Sequence, residues 1–266
     1  MDQLSVYHWV LLSIGSLIMG MSKGGLPGAG NLTVAIYALV LEDALGSVGV
    51  PLSVGLLLPV LISADLTATL VYRKHTDWKF VVRLLPCFLI GTIVGWLVFD
   101  YFQEGSDRVR QLKYVIGGIL LTMTALHFFV KAKKEIQKDQ VENSNNSPKR
   151  SIILGWFFGL VGGVATMLAN AAGPVAQLYL LVMRLPKYAF IGTSAWLFLI
   201  VNIFKVPFMV DLGIINIDSM SVSWWMFIPA VLGAAIAPFI VKFINQKLFE
   251  SLVWIFIVIA GVRMLF

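Results

Sequence analysis

The sequence predicts an all-α membrane protein built as two inverted repeats of five helical segments, with one broken, short helix pair in each repeat. Hydrophobic residues make up 59% of the 266 residues and charged ones 13%, about half the charged share of a soluble domain. Several apolar runs reach the ~20 residues needed to span hydrocarbon. A single ungapped offset of 143 residues superimposes Leu17 on Leu160, Gly20 on Gly163, Ala29 on Ala172, Gly30 on Gly173, Gly49 on Gly192, Pro86 on Pro229 and Gly118 on Gly261. The glycine and proline matches weigh most, because each marks a backbone geometry that must recur.

The first repeat covers 1–131, with apolar segments at 4–21, 31–41, 44–72, 79–102 and 112–131. No basic stretch precedes Leu4, so the first segment reads as a retained helix and not a cleaved signal. Between the first two segments lies Ser22-Lys23-Gly24-Gly25-Leu26-Pro27-Gly28-Ala29-Gly30-Asn31, a polar, glycine-rich break. Residues 132–150 are charged, Asn- and Ser-rich and without apolar periodicity, as in a solvated linker. The second repeat, 151–266, has segments at 151–168, 174–184, 188–210, 223–243 and 248–265, with its own break at Ala169-Asn170-Ala171-Ala172-Gly173-Pro174.

Five segments per repeat is an odd number, so the second repeat should be inverted relative to the first. With ten segments, fifteen basic residues collect on one face, among them Lys23, Arg73, Lys74, Lys131 and Lys149, against four on the other (Arg108, Arg110, Lys113 and Arg263). The positive-inside rule makes the first face cytoplasmic, together with the linker, and puts both termini outside a cell (inner or plasma) membrane. The net charge of +6 thus reflects topology, and no nucleic acid is expected as a partner beside the bilayer and a small substrate. Cys87 is the one cysteine, and His8, His75 and His127 show no ligand spacing, so no metal or other cofactor is expected. There is no Walker loop, dinucleotide fingerprint or nucleophile elbow, and no paired acid–base groups in the apolar part, so the chain does not read as an enzyme.

Irregular backbone at membrane depth is tolerated only where it is buried in protein or lines a cavity, and two such breaks in corresponding positions point to a transporter's binding site. The segments after the breaks have about eleven residues, or ~16 Å at ~1.5 Å per residue, which is half the hydrocarbon thickness. They are expected to be half-helices whose N-termini offer free N–H groups and positive dipole ends to an anion. The expected substrate-binding residues are Ser22, Lys23, Gly24, Gly25, Gly30, Asn31 and Thr33 around the first break, and Asn170, Gly173 and Gln177 around the second. Thr193, Ser194 and Asn202 join them from the long helix that follows. A glycine- or proline-rich joint can also be a plain turn, and glycines also serve close helix packing.

Two residues have readings that the sequence leaves open. Lys23 can balance an anion's charge or snorkel to the cytoplasmic surface. Asp65, the one carboxylate well inside a span, is a proton-coupling candidate or a residue near the cytoplasmic end facing water. Lys205, about one turn from the outer end of its helix, is expected to snorkel. The absence of a buried basic cluster is expected to leave binding to helix ends and amides.

The run from Gly20 through Lys23-Gly24-Gly25 to Gly30, a short helix and then Val48-Gly49 recurs as Gly159 to Gly163, Asn170 to Pro174 and Ile191 to Ser194. With these motifs the chain resembles, over essentially its whole length, the TauE/SafE sulfite exporter family. The resemblance implies a secondary transporter of a small sulfur oxyanion or organosulfonate. An anion channel using the same helix ends, and a transporter of small carboxylates, are the alternatives. The family's glycine cluster is only partly kept here, since Gly24-Gly25 lacks a third adjacent glycine.

Overall fold

The computed structural model describes residues 4–26, 29–103, 111, 114, 118, 148–183 and 185–240; within these, the side chains of 103, 148–154, 174, 177, 178, 181, 182 and 187 are not described. The described part is helices joined by short turns and breaks, with no strand. Its elements are α1 (Val6–Lys23), α2 (Ala29–Leu45), α3 (Gly49–Tyr72), α4 (Trp78–Gln103), α5 (Pro148–Ala169), α6 (Gly173–Val182), α7 (Lys187–Asp211) and α8 (Ile217–Ile240), with short 3-10 turns at Gly46–Val48 and Arg73–His75. The expected segments 112–131 and 248–265 and nearly all of the expected linker lie outside the described residues.

Four helical stretches, Ala29–His75, Trp78–Phe102, Tyr188–Asp211 and Ile217–Ile240, are long and apolar enough to cross a membrane. Their outer faces are apolar too: Val82, Ile90 and Leu97 of α4 and Trp224, Trp225, Ile228, Leu232 and Phe239 of α8 are exposed. A soluble protein rarely leaves so large a contiguous apolar surface uncovered, whereas lipid covers it at no cost.

The interior is built by close backbone crossings. A Cβ on Gly20 would sit 2.0 Å from the Ala230 carbonyl oxygen, so α1 lies directly on α8; one on Gly163 would sit 2.2 Å from the Phe88 carbonyl oxygen, so α5 lies on α4. Small residues at such crossings let helices approach closely where lipid supplies no hydrophobic drive for helix association. One apolar cluster, with Leu12, Tyr37, Leu56, Leu57, Val60 and Phe99, is formed mainly by α2 and α3, and a second, with Phe88, Tyr179, Leu180 and Leu197, by α4, α6 and α7. Inside α3, Pro59 cannot donate to the Gly55 carbonyl. The carbonyls on either side are tied to other helices: Val54 O accepts from Asn170 Nδ2 at 2.8 Å and Leu56 O from Ser223 Oγ at 2.9 Å.

Helix boundaries depart from expectation in three places. α2 has 17 residues, not about eleven, so at ~1.5 Å per residue it reaches ~25 Å and is no half-helix. Glu42 and Asp43 do not end it, because a charged side chain at the protein surface need not interrupt a helix; Asp43 Oδ2 lies 3.1 Å from His8 Nε2, tying the end of α2 to the start of α1. The helix stops before Gly46, whose φ is +70°. α5 begins at Pro148, inside the expected linker, with proline at the first helical position where its missing N–H is not needed. α8 begins at Ile217, six residues early. Asn216 caps it: its Oδ1 accepts from Ser219 N and its N–H donates to Ser219 Oγ, both at 2.9 Å. α6, by contrast, has ten residues, the short helix expected after the second break.

Candidate functional site

The first break follows from its glycines. At the end of α1, Leu26 N–H donates to Met21 O at 3.1 Å and Gly25 N–H to Ser22 O at 3.4 Å. This is the Schellman pattern, which requires positive φ at the residue after the cap; Gly25 has φ +125°. Tyr72 of α3 donates its hydroxyl to Gly24 O at 2.8 Å and fixes the exit of the chain. Ser22 Oγ accepts from Gly30 N–H at 3.0 Å, so the end of α1 caps the start of α2.

The second break turns on Asn170, which has φ +50°. Among L-residues asparagine is one of the few that visits this left-handed region. Its side chain joins two helices, donating to Val54 O and accepting from Lys205 Nζ at 2.5 Å. Lys205 Nζ also donates to Thr166 O at 2.7 Å, near the end of α5. An ammonium there meets the negative end of the helix dipole, and it shares Thr166 O with the Asn170 N–H, which donates to it at 3.0 Å.

A cavity of about 70 Å³ lies between the two breaks; a single water requires roughly 10–15 Å³ by a comparable measure. Its wall includes Ser22, Lys23, Gly25, Gly30 and Asn31 from the first break, Thr166, Asn170 and Gly173 from the second, and Ser194, Phe198 and Asn202 from α7. Lys23 Nζ lies 2.8 Å from Asp65 Oδ1 and 4.3 Å from the centre of the Phe198 ring. The contact with Oδ1 is an ion pair. Asp65 Oδ2 accepts from Asn202 Nδ2 at 2.7 Å. Three polar atoms on this wall, Asn31 Nδ2, Ser194 Oγ and Asn202 Oδ1, are buried without a partner. Buried polar groups are rarely left so; Thr76 Oγ1, Trp96 Nε1 and Trp196 Nε1 are also without a partner, away from this cavity.

Several expectations are corrected. Lys205 does not snorkel: it is fully buried and holds the end of α5. Asp65 does not face water: it is fully buried. Lys23 is not spread over the surface either: its side chain is 15% exposed and ion-paired with Asp65. Two lysines from α1 and α7 are thus brought to one region that neither helix shows alone, Lys23 on the cavity wall and Lys205 fully buried behind it.

Three expected residues lie off the cavity. Gly24 packs against α8, where a Cβ would meet Ala234 O at 2.6 Å. Thr33 Oγ1 donates to Gly15 O at 2.8 Å. Thr193 Oγ1 accepts from Asp77 N–H at 2.9 Å, holding the turn before α4. Gln177 lies on α6, and its side chain is outside the described residues. Sequence reasoning missed Lys205 and Phe198; a lysine six residues inside a helix end was the available signal for the first.

The profile of the family described as Sulfite exporter TauE/SafE matches residues 12–264. The chain belongs to the sulfite exporter TauE/SafE family. This makes it a multi-pass membrane protein of a transporter family, whose setting is the lipid bilayer and whose partner is a small substrate. Comparison with curated proteins finds no match. Among the described residues no group of His, Cys, Asp or Glu side chains is placed to hold a metal ion.

Proposed function

We propose that this protein is a secondary transporter of a small anion, a sulfur oxyanion or organosulfonate, bound in the cavity between the two breaks. The observation that carries this is the chemistry of one wall. Lys23 supplies a cation, Asn31 Nδ2 an unpaired amide donor and Ser194 Oγ an unpaired hydroxyl. A small oxyanion would satisfy all of these at once. Gly173 leaves the mouth of α6 open, since a Cβ there would meet nothing within 4 Å. Ser22, Gly25, Gly30, Asn170 and Asn202 complete the proposed binding set, with Asp65 as the group for proton coupling.

Alternating access would come from rocking of two inverted halves around this site. The packing supports that reading. The 143-residue offset carries α1 onto α5 and α3 onto α7, and it carries α4 onto α8. α1 packs on α8 as α5 packs on α4, and α3 packs on α7. The crossings match to within one residue: Leu17 O faces Gly233, and its repeat mate Leu160 O faces Gly91, one position from the 90 that the offset gives. In this reading the linker side is cytoplasmic and both termini lie outside.

Reconstitution in vesicles tests the proposal. Saturable uptake of labelled sulfite, thiosulfate or methanesulfonate, accelerated by unlabelled anion inside, is the expected result. Unitary currents would instead indicate a channel, and acetate uptake without sulfonate uptake a carboxylate carrier. No flux of any of these would overturn the reading.

A further inference from the structure

Asp65 is the one carboxylate among the described residues that is fully buried. Both groups that hold it, Lys23 and Asn202, stand on the cavity wall. A purely structural ion pair would be sealed away from ligand on both sides. Here the cationic partner also faces the cavity, with its ammonium 2.8 Å from Asp65 Oδ1.

We propose that Asp65 is an internal counter-ion that competes with the transported anion for Lys23, so that anion binding and protonation of Asp65 are coupled. The proposal rests on the reading of the cavity as the anion site. In the empty site the carboxylate occupies the place at Lys23 that an anion would take. An arriving anion turns Nζ toward itself and leaves two negative charges close together in a water-poor interior, where their repulsion is strong. A proton drawn from water on the open side onto the Asp65 carboxylate removes that repulsion, and it returns to water when the anion leaves and Lys23 swings back. The groups facing Asp65 are Lys23 from α1 and Asn202 and Lys205 from α7; α2, α5 and α8 bring no further charged group against it among the described residues. Lys205 is engaged by Thr166 and Asn170, which leaves Lys23 as the cation free to exchange.

The sign is fixed by competition. Lowering the pH protonates Asp65, frees Lys23 and tightens anion binding; by reciprocity, anion binding takes up protons. Thiosulfate and methanesulfonate are suitable probes, since neither titrates near neutral pH. Calorimetry on the purified full chain should show both bound at least about fivefold more tightly near pH ~5.5 than near pH ~8, with proton uptake from a weak buffer. Asp65→Asn should bind as tightly near pH ~8 as the wild type does near pH ~5.5, with the pH dependence gone. Wild-type binding that is independent of pH, with no proton uptake, would overturn the exchange and leave the anion site standing, and this comparison needs no variant to fold. An Asp65→Asn protein with wild-type affinity and pH dependence would do the same. Binding of neither anion by the wild type would overturn both the exchange and the reading on which it rests.

Discussion

At the first break the chain leaves α1 through Gly24 and Gly25, carries its own cation at Lys23, and enters a helix of 17 residues. At the second it leaves α5 through Asn170, borrows its cation from α7 as Lys205, and enters a helix of ten residues. The 143-residue offset pairs Lys23 with Thr166, so position for position the second break has no lysine. The structure supplies one from another helix, and its ammonium bonds the Thr166 carbonyl. The two lysines also differ in what they face: Lys23 has a carboxylate and the cavity, whereas Lys205 has neutral oxygens and lies behind the wall. One cation is therefore placed to exchange partners, and the other to hold backbone.

Replacing Lys205 tests that division with the largest effect on stability. Lys205→Met removes a charged donor from two buried acceptors and should lower stability by about 2 kcal/mol, read as a lower Tm in detergent together with faster amide exchange at 166–171. A higher Tm would mean that desolvation of the ammonium outweighs its hydrogen bonds.

The glycines of the two breaks should respond with opposite signs. Gly25→Ala forces a side chain onto φ +125°, and the cost is about 1–2 kcal/mol. At Gly173 a Cβ meets no atom within 4 Å, so Gly173→Ala should leave stability unchanged or raise it by about 0.5 kcal/mol. It should nonetheless weaken anion binding by filling the cavity mouth. Equal losses of Tm in the two variants would remove the distinction between a glycine kept for its backbone and one kept for its space.

Much of this was legible in the sequence, and the reason is the kind of residue involved. Gly25 and Asn170 mark the breaks because few residues tolerate what the backbone does there. The Gly20 and Gly163 crossings were visible through the same 143-residue match. The length of α2 was not legible, because Glu42 and Asp43 look like a helix end and the actual stop is a backbone turn at Gly46. Neither was the pairing of Lys23 with Asp65, 42 residues and two helices apart, nor the role of Lys205. Depth along one helix says how far a charge lies from an end, not which neighbour covers it. Thr193 and Ser194 show the same limit at its smallest scale: adjacent residues on α7, one holding a turn and one on the cavity wall.

The central claim, that the cavity between the breaks takes a small anion through Lys23, is tested most directly by thiosulfate binding to the wild type, Lys23→Gln and Thr193→Val. Lys23→Gln removes a buried charge-assisted contact worth about 2–5 kcal/mol to the bound anion. Saturable binding is expected of the wild type and of Thr193→Val, with binding lost in a Lys23→Gln protein that still unfolds cooperatively. Undiminished binding by Lys23→Gln would contradict it.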